Sequence, residues 1–283
     1  STLTVLMKIL RRPFRSRQIK VRRQLPPSNW VQPWWIDRFR EQTQSPETEL
    51  PQSNNVARSW TLTGTLESVF RVAVDPRGLI SVKPGFWSLD WWLRVDEAWI
   101  YPAQHGSVRQ RVVDGAPVVE TVIRVAGGDV IHRVYGARLE ADYTVVEVEN
   151  QASRPVALGL AVRPYDLLGG GRVEQIELND QVLSVDGRVA FICGRTPGRL
   201  IVGAGGIDPA SLIDDVIAGD FSVTCDAGMA SAAIIVPLVH GSTFRGAIPS
   251  EEVSNQEIIS RLPSGQQVAA GWGKHAVNAC RFV

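Results

Sequence analysis

Alternation of apolar and polar positions with a period of two residues predicts β-strands through most of the chain beyond residue 57. Phe70, Val72 and Val74 fall on one face of such a strand, and Arg71 and Ala73 fall on the other. Further runs of strand length, rich in β-branched residues, are 118–125, 130–135, 144–148 and 156–162. Turn signals recur about every eight to twelve residues, as in a β-sandwich. We therefore predict an all-β fold, a large antiparallel β-supersandwich with few short helices.

Turn residues between these runs predict how the strands connect. Residues 75–78, Asp-Pro-Arg-Gly, suit a type I turn with proline at its second position and glycine at its fourth. Asp114-Gly115 and Asp186-Gly187 are two-residue hairpin signals, because both central positions of a type I′ turn need positive φ.

One strand also predicts how its sheet is exposed. Glu147 and Glu149 point to one side, whereas Val146 and Val148 point to the other. This pattern is typical of a sheet with one solvated face.

Helical signals are few. Asp208 and Pro209 suit an N-cap and a first helical position, so we expect a short helix from there through Ile217. The segment Glu251–Leu262 predicts a second helix.

Residues 1–56 differ from the rest and form a basic, proline-rich arm that we expect to be extended, whereas 57–283 form the β-sandwich domain. The net charge of +1 conceals this asymmetry: residues 1–23 hold eight basic residues and no acid, which leaves 22 basic residues against 29 acids in the remainder. The candidate contact residues of the arm are Lys8, Arg11, Arg12, Arg15, Arg17, Lys20, Arg22, Arg23, Trp30, Trp34 and Trp35.

The arm permits several partners. It suits a larger protein assembly, because prolines and tryptophans fit an extended chain lying on a partner. It equally suits an anionic membrane surface, with apolar side chains between Leu3 and Leu10 inserting. Nucleic acid bound through phosphate contacts alone is less favoured, and a merely solvated tail stays open.

Cysteine content and hydropathy bear on the compartment. Cys193, Cys225 and Cys280 are odd in number and lack the spacing of a zinc or redox site, which favours a reducing cytoplasm. No apolar run approaches the length of a membrane span, so we expect a cytoplasmic protein, with a peripheral membrane location left open by the arm. We expect no metal and no cofactor, and a structural role for His132 inside its strand.

Several short blocks, in the same order, carry a resemblance to one family. They are 74–80 (VDPRGLI), 85–92 (GFWSLDWW), 108–121, 127–135, 146–150, 161–165, 176–178, 185–187 and 270–273 (AGWG). Together they resemble the amino-terminal β-sandwich of bacterial glycogen-debranching and glucoamylase-like glycosidases that carry a six-hairpin helical barrel. The similarity spans about residues 54–283, so the arm lies outside it.

The resemblance implies a β-supersandwich that supports the barrel and borders the substrate cleft. In such proteins the acid and base lie on barrel loops, and that barrel would follow residue 283. No catalytic residue is therefore carried over to this chain. Two hypotheses follow: a non-catalytic interaction or scaffold subunit docked through the arm, or the substrate-cleft domain of a glycoside hydrolase whose barrel is absent from this chain.

Three acids stand among the aromatic residues of the second block and its surroundings. Glycoside hydrolysis needs two carboxyl groups about 5–10 Å apart, and Asp90, Asp96 and Glu97 are the best local candidates. We favour a simpler interpretation, in which Asp90 and Asp96 cap turns or pair with Arg94 and Glu97 is solvated.

The aromatic residues of this region have two interpretations. They could stack on sugar rings of an α-glucan, or they could be buried against the arm or a neighbouring domain, which we favour. If Trp91 and Trp92 lie in a strand, they must face opposite sides of it. The candidate set is Phe86, Trp87, Trp91, Trp92, Trp99 and Tyr101.

Overall fold

A computed structural model describes residues 60–65, 71–82, 87–166, 169–205, 207–214, 221–253 and 255–279. The predictions for the arm, for its basic residues and tryptophans, and for Phe86 lie outside these residues.

The described residues form two large antiparallel sheets, which confirms the all-β prediction. Sheet 1 has eight strands in the order β1-β2-β3-β4-β10-β18-β16, with β5 also paired to β4. Its strands are β1 (Thr61–Gly64), β2 (Arg71–Val74), β3 (Ile80–Val82), β4 (Trp87–Val95), β5 (Ala98–Ile100), β10 (Val156–Arg163), β16 (Arg199–Gly203) and β18 (Ser231–Leu238).

Sheet 2 has nine strands in the order β17-β13-β14-β15-β19-β9-β8-β7-β6. Its strands are β6 (Val108–Val112), β7 (Val118–Val125), β8 (Gly128–Arg138), β9 (Asp142–Asn150), β13 (Gln175–Asn179), β14 (Val182–Val185), β15 (Arg188–Cys193), β17 (Ser222–Thr224) and β19 (Thr243–Pro249). A separate short pair is formed by β11 (Tyr165–Asp166) and β12 (Gly169–Gly170). The runs predicted at 118–125, 130–135 and 144–148 lie within β7, β8 and β9 of sheet 2, and the run at 156–162 lies within β10 of sheet 1.

The main core lies between the two sheets, where alternate residues of facing strands meet. From sheet 1, Trp91 and Leu160 point inward, and from sheet 2, Val146 and Phe244 do so. These side chains are almost completely buried. Their period of two along each strand is the pattern that the sequence shows.

The predicted turns are present. Gly78 N donates to Asp75 O at 3.0 Å, which closes the turn between β2 and β3. Asp186 and Gly187 between β14 and β15 have φ values of 50° and 76°. The second Asp-Gly pair, at 114–115, has φ values of 48° and 72°, but it lies in a five-residue connection from β6 to β7 and not in a two-residue hairpin. Positive φ at both central positions is what a type I′ turn requires.

Helices are few among the described residues, and all but one of them are short. They are the 3₁₀-helices Pro102–Gln104 and Pro209–Leu212, and the α-helices α1 (Ile258–Arg261) and α2 (Gly265–Ala279), of which α2 has 15 residues. The 3₁₀ stretch Val113–Gly115 has non-helical backbone angles at Asp114 and is the Asp-Gly turn described above.

The helix predictions were only partly right. Asp208 caps the helix at 209–212 as expected, because its side chain accepts a hydrogen bond from Ala210 N at 3.0 Å. The helix has already ended at Leu212, short of the expected Ile217, which lies outside the described residues. The second helix occupies only the end of the predicted segment 251–262, at Ile258–Arg261.

Candidate functional site

The aromatic residues around β4 are mostly interior. Trp87 and Trp91 belong to the core between the sheets, whereas Trp92 lies on the opposite face of β4. All three are buried, so none of them offers a ring face to a sugar at the surface. Trp99 and Tyr101 are half-buried and pack around Trp92, with the rings of Trp92 and Tyr101 edge to face at 5.4 Å. The opposite orientations of Trp91 and Trp92 agree with the prediction from strand geometry.

A buried ion cluster lies against Trp92 on the outer face of sheet 1. Arg163, at the end of β10, donates from Nη1 to Asp90 Oδ2 at 2.8 Å and from Nη2 to Asp208 Oδ2 at 2.9 Å. Its guanidinium carbon stands 4.9 Å from the centroid of the Trp92 ring. The side chains of Arg163 and Asp208 are 0% exposed and that of Asp90 is 2% exposed. We call these three charged residues the Arg163 cluster.

Of the three candidate acids in this region, Asp90 is the buried one, and burial favours the protonated form that a general acid needs. Burial raises the pKa of Asp90, and the nearby charge of Arg163 opposes that rise. Both of its oxygens already accept hydrogen bonds, from Trp91 N at 2.9 Å and from Trp92 Nε1 at 3.2 Å in addition to Arg163. A general acid must also reach a substrate, and the burial of Asp90 prevents that contact. The Arg163 cluster therefore joins β4 and β10 to the segment that begins at Asp208.

The other two acids of the segment are exposed and have different partners from those expected. Asp96, in the turn after β4, pairs with Arg154 at 2.5 Å. Glu97 pairs with Arg94 at 3.0 Å, and its side chain is 85% exposed. The expectation that Asp90 and Asp96 cap turns or pair with Arg94 is only partly right. Asp96 lies in a turn, but neither acid pairs with Arg94, because the guanidinium that each contacts belongs to a residue distant in sequence. The prediction that Glu97 is solvated is confirmed.

A row of alternating charges crosses five strands of sheet 2 on its outer face. Strand register places Arg111, Glu120, Arg133, Glu147 and Arg245 directly opposite one another, in that order, on β6, β7, β8, β9 and β19. Successive members are joined by hydrogen bonds of 2.7, 2.8, 3.0 and 3.0 Å. We call this row the charge ladder. Its order of charges places an arginine on both sides of each glutamate.

The middle of the charge ladder is removed from water. The side chains of Glu120, Arg133 and Glu147 are 6%, 5% and 3% exposed, whereas Arg111 at the sheet edge is 65% exposed. Buried charges persist only where partners replace their lost hydration, and each of these three has at least two. The ladder is therefore solvent-excluded in its middle, whereas Arg111 at one end is exposed and Arg245 at the other is 26% exposed.

The chain between α1 and α2 lies over the part of the charge ladder that contains Arg133 and Glu147. Tyr135 Oη lies 2.8 Å from Pro263 O and 3.1 Å from Glu147 Oε2. Gly265 N, at the start of α2, donates to Glu147 Oε2 at 3.4 Å. A Cβ at Gly265 would stand only 3.0 Å from Arg133 Cδ, so glycine permits this close approach. The chain from α1 into α2 is thus hydrogen-bonded to the outer face of sheet 2.

This covering corrects the prediction that Glu147 and Glu149 mark a solvated face. Glu147 is buried, and Glu149 is only 22% exposed and accepts from Arg133 Nη1 at 2.8 Å. Burial acts to raise the pKa of Glu149, but hydrogen bonds from Gln151 and Arg133 outweigh it, so the pKa lies below its ordinary value. The expected alternation along β9 is present. The expected exposure is wrong, because α1 and α2 pack on the face that carries Glu147 and Glu149.

His132 lies in the interior between the sheets. Its ring stacks on Trp91, with centroids 4.8 Å apart and planes 11° from parallel. Burial lowers the pKa of His132 to about 3, so the imidazole is neutral at pH 7. Gly78 is required beside this stack, since its φ is 92° and a Cβ there would be 2.5 Å from Trp91 Nε1. The position of His132 is that of a core residue.

The described residues contain no group of three His, Cys, Asp or Glu side chains placed to hold a metal ion. None of their helices combines the length and the apolar character needed to cross a bilayer.

The sequence indicated neither buried ion network. Asp208 was identified only as a helix cap, and Arg163 only as part of a resembling block. The sequence of β10 does contain one indication of the cluster. Arg163 lies on the same face of the strand as Gly159 and Ala161, so a charged side chain ends an otherwise apolar strand. Each of the five strands of the ladder carries a charged residue, but only the strand register shows that these residues form one row.

No family model matches this chain, and no curated protein is similar to it. The resemblance to the glycosidase sandwich therefore depends on the short blocks quoted above.

Proposed function

We propose that this protein is a non-catalytic β-sandwich that serves as an interaction or scaffold subunit. Residues 1–56 would dock it to a larger protein assembly or to an anionic membrane surface. The sandwich itself would supply a rigid body that holds this arm at one place.

One observation carries the non-catalytic part of the proposal. Among the described residues, the buried carboxylates of Asp90, Asp208, Glu120 and Glu147 each accept a hydrogen bond from an arginine. The fifth buried acid, Asp75, accepts from the backbone N–H groups of its own turn. Hydrolysis of a glycosidic bond needs one carboxyl group to donate a proton to substrate while another faces it across the bond. These buried acids serve instead to hold strands and loops together.

The docking part of the proposal depends on composition. Eight basic residues without an acid in 1–23 give the arm a strong positive charge, while the remainder is acidic overall. Clustered basic residues are attracted to an anionic surface, where each Lys or Arg close to a membrane contributes about 1 kcal/mol.

The test uses the full chain with the eight basic residues of 1–23 changed to glutamine. We expect this variant to keep the thermal unfolding transition of the wild type and to lose binding. Two measurements separate the partners: co-sedimentation with phosphatidylserine-containing vesicles, and mass spectrometry of proteins that co-purify with the native chain. Retention of both associations by the variant would contradict the docking role.

The alternative, a substrate-cleft domain of a glucan hydrolase, is favoured by the way α2 is attached. A helix whose first turn is bonded to Glu147 gives a following domain a fixed direction relative to the sandwich. Reading the gene beyond the codon of Val283 tests it: some 300 further residues with amphipathic helices and paired acids on loops would favour this alternative.

An α-glucan ligand also stays open. Binding near Trp99 or Tyr101 would change tryptophan fluorescence on titration with maltooligosaccharide, and an unchanged spectrum at millimolar sugar would count against it.

A further inference from the structure

An open cavity lies where β6 begins, beside the turn between β7 and β8. It has a volume of about 430 Å³ and is lined by Gly106, Ser107, Val108, Arg109, Arg124 and Asp129. This volume lies within the range of small-molecule sites, roughly 300–1,000 Å³. The cavity is separate from the Arg163 cluster and shares no residue with the charge ladder.

Two arginines in this cavity share one carboxylate. Arg109 Nη2 donates to Asp129 Oδ2 at 3.4 Å, and Arg124 Nη1 donates to Asp129 Oδ1 at 3.1 Å. The arginine side chains are 71% and 67% exposed, and that of Asp129 is 24% exposed. The three groups carry one excess positive charge, so the attraction of Asp129 only partly offsets the repulsion between the guanidinium groups.

Most of the donor capacity of this pair is unused. A guanidinium has five N–H donors, and each of these arginines makes one side-chain hydrogen bond within the described structure. Asp129 brings both guanidinium groups to one place, so a single anion can contact both of them. Guanidinium groups bind carboxylate and phosphate oxygens through paired N–H donors.

Hydrogen bonds within the loop at 105–107 and to its neighbours hold this wall of the cavity in place. Ser107 N donates to His105 Nδ1 at 3.2 Å, and Arg77 Nη1 donates to His105 O at 2.6 Å. Arg124 N donates to Ser107 O at 3.4 Å, which joins the loop to β7. A Cβ added at Gly106 would contact nothing within 4 Å, so this side of the cavity is open.

We propose that this cavity binds the phosphate group of a small phosphorylated molecule, with Arg109 and Arg124 donating to its oxygens. A dianionic phosphate has enough acceptor oxygens to engage both guanidinium groups at once, and its negative charge more than offsets the single excess positive charge that Asp129 leaves. The volume beyond the arginines accommodates the organic part of the molecule. This site does not depend on the proposed role of the arm.

The test is a titration of the full chain with inorganic phosphate at constant ionic strength, followed by NMR of arginine Nε–H and backbone amide signals. We expect saturable shifts of Arg109, Arg124 and the amides of 106–108. In the double variant Arg109→Gln/Arg124→Gln the affinity falls at least about tenfold, because charge-assisted hydrogen bonds are lost. Each single substitution weakens binding by a smaller factor.

Arg172→Gln is the matched control. Arg172 is 63% exposed and pairs with an exposed Glu174, but it does not line the cavity, so its substitution leaves phosphate affinity unchanged. The proposal is overturned by shifts that do not saturate, by equal affinity in the double variant, or by an equal loss in Arg172→Gln. Retained thermal unfolding shows that each exposed substitution leaves the fold intact.

Discussion

Burial decides what each charged side chain of this protein can do. Asp90 and Asp96 are six residues apart in one segment, yet Asp90 is enclosed with Arg163, and Asp96 pairs with Arg154 in solvent. In the enclosed pair, loss of one partner leaves a charge without water or a counter-charge. In the exposed pair, water replaces the partner.

The Arg163 cluster is therefore expected to be sensitive to substitution. Arg163→Met leaves Asp90 and Asp208 buried without their cation, and we expect it to lower the free energy of unfolding by about 3–5 kcal/mol. Urea denaturation measures this loss.

Arg154→Gln provides the comparison, since its pair with Asp96 is exposed, and it should cost under about 1 kcal/mol. The triple variant Asp90→Asn/Arg163→Met/Asp208→Asn should regain part of the loss, because no unpaired charge remains. Equal stability of Arg163→Met and wild type would contradict this account of the cluster.

His132 predicts a specific dependence of stability on pH. Its pKa in the folded protein is about 3, below the ordinary value of 6.5, so the unfolded chain binds the proton more tightly. The stability contributed by the neutral imidazole is complete above about pH 6.5 and decreases as the pH falls toward 3. At pH 5 the expected loss is about 2 kcal/mol.

The measurement compares urea denaturation of wild type and His132→Gln at pH 7 and pH 5. The decrease between these pH values should be about 2 kcal/mol smaller in the variant, since glutamine does not titrate. Parallel pH profiles would show that His132 does not carry this dependence.

At the scale of elements, Glu147 joins the start of α2 to sheet 2 by a hydrogen bond from Gly265 N. Glu147→Gln keeps the size of the side chain but removes the negative charge between Arg133 and Arg245. We expect amide hydrogen exchange in α2 to become at least about tenfold faster, while exchange in β4 and β10 stays unchanged.

Glu140→Gln is the control for that experiment. Glu140 pairs with Arg261 near the same segment, but both side chains are about half exposed, so its loss should not alter exchange in α2. Unchanged exchange in α2 of the Glu147→Gln variant would show that apolar packing alone attaches the helix.

Strands and turns were predictable where residues adjacent in the sequence determine them. Strands such as Val118–Val125 follow from alternation, and the Asp-Gly hairpin at 186–187 follows from the need for positive φ. Coverage of a sheet face was not predictable in this way. Whether Glu147 meets water depends on where α1 and α2 pack, which is set by contacts more than a hundred residues apart in sequence.

The same limit applies to the candidate sites. The sequence identifies Asp90 and the tryptophans of β4 as candidates, but not their burial. Asp90 and Trp92 are buried beside Arg163 and the segment from Asp208, whereas Trp87 and Trp91 are buried between the two sheets. The cavity at Arg109 and Arg124 was missed, because these two residues are separated by 15 positions and converge on Asp129 only in the folded sheet.

At the scale of the whole molecule, the described residues form a sandwich whose two outer faces each carry a buried ion network beneath a covering segment. On sheet 1 that segment begins at Asp208, and on sheet 2 it is the chain from α1 into α2. In both networks the buried carboxylates accept hydrogen bonds from arginines and join strands to the segments that cover them. The proposal of a non-catalytic sandwich is based on this structural use of its buried acids.

The most direct test of this claim is an assay for hydrolysis by the purified full chain. Incubation with glycogen and with maltooligosaccharides, followed by measurement of new reducing ends, should give no product above the buffer control. Release of sugar by the wild type that is abolished in Asp90→Asn would contradict the account, because it would make a buried structural carboxylate the acid of a glycosidase.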